Sequence, residues 1–211
     1  MHPLRTMKKH IVLGLTALLT TSAFADITLV QETLLNGISS RTTMWLKGDK
    51  MRTDSDTTTS VIIDAATGDM TTLVHEQKMI ITNNTKDLQA LTAQTPNHDK
   101  VEIPVTKITN TGKSEKVDGY DCDIYLSENQ GMVVKMWVAK NYPGQDKFRN
   151  EMKAMAKLGG PNAPKQPEVP GIALKTEWEQ QGLKFTTRLI SITSDPVDAS
   201  RFKLPEGYKA P

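Results

Sequence analysis

The sequence predicts a mainly β protein: a curved antiparallel sheet, or incomplete β-barrel, capped by one helix. Three observations carry this expectation. Short runs rich in Val, Ile, Thr and Leu recur along the chain, separated by turn residues. The connections between them are short, which favours antiparallel neighbours. One stretch alone, residues 145–158, reads convincingly as a helix. Ten or so strands would curl rather than lie flat, because sheet twist accumulates from strand to strand.

Taken in order, residues 26–35 form the first extended run. Residues 41–47 and 50–54 follow, joined at Gly48-Asp49. Residues 60–64 carry Val61-Ile62-Ile63 and stop at the turn 65–69. Residues 70–75 and 78–82 are separated by Glu76-Gln77, a spacing that suits a tight hairpin. Residues 84–93 fit either a short helix or a loop. Residues 101–109 read as a strand, with a polar turn region after them as far as Gly119. Tyr120, Cys122, Ile124 and Leu126 alternate with Asp121 and Asp123, so one face there is apolar. Met132, Val134, Met136 and Val138 form a second alternating set, with Lys135 on the other face. Near the end, 173–180 and 184–191 are split by Gln181-Gly182-Leu183.

In the helix, Phe148, Met152, Met155 and Leu158 fall near one face, and Lys147, Lys153 and Lys157 lie largely away from it. Gly159-Gly160-Pro161 ends it. Four prolines between 159 and 170 mark an extended surface connection.

The first 25 residues read as a signal peptide. Lys8 and Lys9 supply a positive start, the apolar run 11–19 follows, and Ala23-Phe24-Ala25 is an Ala-x-Ala cleavage site. That run is too short to span a bilayer, which takes roughly 20 apolar residues. The expected product is a single exported domain, residues 26–211, cleaved after Ala25, with the periplasm as its destination and no stable membrane span.

Composition excludes several functions. Removing Arg5, Lys8 and Lys9 with the leader leaves 23 basic and 24 acidic residues. Near-neutral charge argues against capture of a nucleic-acid backbone. A single cysteine, Cys122, rules out an internal disulfide framework. It sits between Asp121 and Asp123, which disfavour a thiolate, so it reads as a packed side chain. The expected mature chain has only His75 and His98, without metal-ligand spacing. His75, beside Glu76 at the expected hairpin, reads as solvated. No Gly-x-Ser-x-Gly elbow, phosphate loop or His-Glu-x-x-His motif is present, so no catalytic residue, metal or cofactor is expected.

Several short motifs carry a family resemblance. These are Gly48-Asp49-Lys50-Met51-Arg52, Val61-Ile62-Ile63-Asp64 and Lys78-Met79-Ile80-Ile81, with Gly119-Tyr120-Asp121-Cys122-Asp123-Ile124-Tyr125 and the closing run from Ser200 to Tyr208. Over residues 27–208 the chain resembles an uncharacterised exported bacterial family similar to the lipoprotein-carrier superfamily (LolA/LolB-like). The resemblance implies an incomplete antiparallel barrel with helices closing its mouth and an apolar interior that holds acyl chains. None of the carriers' acyl-contacting residues transfers to a numbered position here.

The functional expectation is a non-catalytic carrier or binding protein for a lipid, a lipoprotein acyl chain or another hydrophobic ligand. Its partners would be a hydrophobic small molecule or an acylated protein. Flexible thioethers suit an irregular apolar guest. The candidate lining is Met132, Val134, Met136 and Val138 with Met152 and Met155 of the helix, which would act as a movable cover. The alternative is a protein-interaction or sensing domain on the same scaffold, with a filled core.

Overall fold

The computed structural model describes residues 26–84, Asp87, 106–158 and 168–211, with side chains of the helix described as far as Lys153. The leader 1–25, almost all of 84–93, residues 101–105 and most of the proline-rich connection lie outside the described residues.

Eleven strands make one antiparallel sheet. They are β1 Ile27–Leu35, β2 Ile38–Lys47, β3 Lys50–Ser55, β4 Thr59–Asp64, β5 Asp69–Val74, β6 Met79–Asn84, β7 Lys107–Val117, β8 Tyr120–Asn129, β9 Met132–Ala139, β10 Ile172–Gln180 and β11 Leu183–Thr193. Helix α1, Gln145–Leu158, lies between β9 and β10 in sequence, with the bounds read from the sequence. The spatial order is β6-β5-β4-β3-β2-β1-β11-β10-β9-β8-β7. The first and last strands therefore pair at the centre, and β6 and β7 form the edges, so the barrel stays incomplete.

Four hairpins turn through two residues at positive φ: Asn36-Gly37, Asp118-Gly119, Gln130-Gly131 and Gln181-Gly182. This backbone matches the right-handed twist of the flanking strands. The first of them lets β2 begin at Ile38, earlier than the expected residue 41.

One expectation needs correction. The polar stretch expected to be a turn region up to Gly119 is strand as far as Val117. β7 is an edge strand whose side chains are mostly exposed, so it lacks the apolar alternation that marks a half-buried strand. Its lysines and its irregular pairing between Asn110 and Ser114 are common features of strand edges.

β10 and β11 pair only over Lys175–Gln180 and Leu183–Arg188. Beyond that, irregularities near Leu174 and Ile190 break the alternation, and the two strands part company, β10 staying with β9 and β11 with β1. A buried cluster forms here from Leu29, Cys122, Ile124, Trp137, Ala139, Leu174 and Leu189, and Phe148 of α1 packs on it. A second cluster gathers Tyr125, Met136 and Val138 under Val169, Ile108 and Ala173.

The C-terminal segment runs back across β2–β5. Asp198 caps a short 3-10 helix, Ala199–Phe202. The Arg201 guanidinium lies 4.5 Å from the Trp45 ring centroid, and Arg52 Nη1 donates to the Arg201 carbonyl at 2.6 Å. Lys209 then pairs with the edge strand: its N–H donates to the Lys78 carbonyl at 3.0 Å and its carbonyl accepts from Ile80 N–H at 2.8 Å.

Candidate functional site

Strand register decides which side chains share a face, because directly opposed residues point the same way and alternate residues along a strand do too. One row runs Leu29, Met44, Thr53, Val61, Thr72 and Ile81 across β1 to β6. The next runs Ile27, Leu46, Met51, Ile63 and Met70. A third row brings Val74 and Met79 together. From β2 the same face continues through Ser40, Thr33, Thr187, Thr176 and Met136, all directly opposed. The Thr33 and Thr187 hydroxyls, 3.0 Å apart, agree with this assignment.

Followed along the register, six methionines fall on one face, Met44, Met51, Met70, Met79, Met132 and Met136, but past the irregularities packing divides them: Met44 joins the first cluster with Trp137, and Met136 the second. The two ends of the face differ. At the β9 end Met136 and Val138 are 8% and 1% exposed. Across β3 to β6, Met51, Val61, Ile63, Met70, Val74, Met79 and Ile81 are each half-buried.

The expected lining residues are distributed accordingly. Val134, Met136 and Val138 belong to the second cluster, while Met132 is 41% exposed at a hairpin tip. Met152 is half-buried, and the Met155 side chain lies outside the described residues. The sequence reading left Met44, Met51, Met70 and Met79 out of the candidate lining. Each sits in a short strand whose facing is set by partners, not by its own pattern.

The opposite face of β2 to β5 is occupied by the C-terminal segment. His75, expected to be solvated, is half-buried and held on both nitrogens. Its Nε2 lies 2.7 Å from Ser60 Oγ and its Nδ1 2.6 Å from Tyr208 Oη. Arg52 Nη2 donates to Ser60 Oγ at 3.0 Å. Ser60 is 0% exposed, so this Ser–His pair fastens the segment and offers no nucleophile to solvent.

Asp26 accepts from Lys47 Nζ at 2.6 Å and from Val197 N–H at 2.7 Å, tying the first strand to the closing segment. Burial opposes ionisation of Asp26, but these partners outweigh it and hold the carboxyl below its ordinary range. Cys122 is fully buried, and burial pushes its thiol up. An open cleft of about 500 Å³ is lined by Glu32, Asp118, Tyr120, Tyr142, Leu174 and Arg188, none of them an expected lining residue. Among the described residues no group of three or more His, Cys, Asp or Glu is placed to hold a metal. No described helix is long and apolar enough to cross a membrane.

The chain belongs to DUF4412, a domain-of-unknown-function family whose match covers residues 24–208. No curated protein matches it. Among solved structures, it is similar to a DUF1329 family protein from Desulfovibrio piger at 13% identity and a TM-score of 0.36, over 86% of this chain and 90% of that one. It is similar to LprF from Mycobacterium bovis at 9% identity and a TM-score of 0.33, over 89% and 91%. A likeness to PNGF-II, at 11% identity and a TM-score of 0.42, covers 89% of this chain and 31% of that protein, so the chain spans about a third of PNGF-II's length.

Proposed function

We propose that this DUF4412 chain is a non-catalytic binding protein or carrier for a hydrophobic ligand, such as a lipid or an acyl chain, working in the periplasm. The observation that supports the reading most is the methionine-bearing face. Its methionine, valine and isoleucine side chains across β3 to β6 are half-buried among threonines, and the other face of the same strands is occupied by the protein's own C-terminal segment. Thioethers adapt to a flexible guest at low strain. Each methylene laid against this face contributes about 0.8 kcal/mol before opposing terms. The leader-like segment before Asp26 supports the location.

Binding of a dansyl-labelled fatty acid tests this. The wild-type chain is expected to enhance the probe's fluorescence. The double substitution Met51→Asp with Ile63→Asp places two carboxylates in neighbouring strands of the face and is expected to weaken binding by about tenfold or more. Absence of binding by the wild type, or equal affinity in a folded double variant, would overturn the proposal.

A further inference from the structure

Large apolar side chains are exposed at few places among the described residues, and their positions are uneven. Ile38 is 74% exposed, Val133 47%, Met132 41% and Leu183 41%. Ile38, Met132 and Leu183 directly follow the turns Asn36-Gly37, Gln130-Gly131 and Gln181-Gly182, and Val133 comes next after Met132; the fourth such turn, Asp118-Gly119, lies at the opposite end of β8. The register puts the first three turns at one end of adjacent hairpins: Thr33, Thr187, Thr176 and Met136 stand level, and each strand reaches its tip three to six residues further on. In β2, residues 38–40 run beyond the last β2–β3 pair, so the tips project past the neighbouring strands.

The chemistry of the tips repeats. Each is a side-chain amide, a glycine and then an aliphatic or thioether residue, and none of the six turn residues is charged. Behind them, Trp178 and Phe185 stack at 5.0 Å with rings 2° from parallel. These two continue a row from Ile38 and Leu35 to Val134 on the methionine-bearing face. Exposed aliphatic tips backed by an indole, with no charge of their own, complement the neutral, half-hydrated zone of a lipid headgroup layer. The exposed Lys184 beside Leu183 stands opposite the exposed Glu179, so this end presents no net basic set for an anionic surface.

We infer that the three hairpin tips form a membrane-docking edge that seats on a zwitterionic bilayer surface. The purpose of such docking, loading or unloading a guest along the continuous apolar row, rests on the proposed binding function. The contact itself does not.

Co-sedimentation with phosphatidylcholine vesicles tests the contact. The wild-type chain is expected to partition onto vesicles with little dependence on salt, because the tips carry no charge. Ile38→Ser, Met132→Ser and Leu183→Ser combined are expected to lower partitioning by about tenfold or more. Ile38→Asp alone, at the most exposed tip, should lower it as well. Ile190→Ser with Leu204→Ser removes exposed aliphatics elsewhere and should leave it unchanged. The Met51→Asp, Ile63→Asp protein should lose fatty-acid binding yet keep vesicle binding, which separates failure of this inference from failure of the proposed function. The inference is overturned if the wild type does not sediment with vesicles, or if the folded triple variant binds equally well. It is also overturned if sedimentation velocity shows the tips mediating self-association, which would make a second copy the occupant.

Discussion

Replacing Tyr208 with Phe removes one hydroxyl and nothing else, so it isolates the fastening of the C-terminal segment. With the imidazole proton on Nδ1, Arg52 donates to Ser60, Ser60 donates to His75 Nε2, and His75 Nδ1–H donates to the Tyr208 oxygen. Phe at 208 leaves Nδ1–H without its acceptor. Tyr208 and His75 are half-buried, so water replaces part of the loss, and a cost of about 1 kcal/mol is expected. The loss falls first on local opening of the segment. Amide exchange at Lys209 and Ile80, whose N–H groups bond across this junction, should quicken about fivefold. Amides in β9, on the far side of the sheet, should keep their protection. His75→Ala should cost about 1–3 kcal/mol because it strips a partner from the fully buried Ser60. In urea titrations the pair His75→Ala and Tyr208→Phe should be coupled, losing less together than the sum of the two. Strict additivity, or unchanged exchange at Lys209 and Ile80, would show that the network is not what holds the segment down.

Two further outcomes follow from geometry. The Lys50 ammonium bonded to Asp64, with the Thr67 and Ala66 amides, holds the Asp64 carboxyl below its ordinary range against the opposing effect of burial. Its stabilisation is therefore present above the usual carboxylate range and lost as pH falls through the depressed folded value; melting temperatures of Asp64→Asn taken down to about pH 2 should show a shallower acid-side decline than the wild type. A Cβ at Gly171 would sit 2.0 Å from the Ala139 carbonyl oxygen, so Gly171→Ala should part β10 from β9 and cost about 3 kcal/mol or more, read as a lowered urea midpoint.

The sequence made the repeating strands and the helix legible because their signals are local. Residues 145–158 carry helical spacing and a Gly-Gly-Pro stop, and α1 spans Gln145–Leu158. Alternation in β8 and β9 marked one apolar face in each, whereas Ile124 with Tyr125 and all of Met136 to Ala139 are buried, so both faces are covered there. β7 escaped notice because a strand exposed on both sides needs no apolar period. The environment of His75 was invisible because its partner Tyr208 lies 133 residues away. The wider methionine face was hidden for a related reason. Met51, Met70 and Met79 occupy six-residue strands, and only pairing across the sheet shows that they point the same way as Met136.

The sheet is a plain up-and-down meander cut open between β6 and β7, with its two chain ends sewn together at the middle through β1 and β11. Thr28 faces Thr193, so the central seam cannot close until nearly the whole polypeptide is available. A folding chain can build β1 to β6 as a ribbon but must leave the inner edge of β1 vacant until β11 arrives. Closing so long a loop makes this the slow entropic step of folding. Until then an apolar edge stays open to wrong partners, a window that a holdase chaperone would serve.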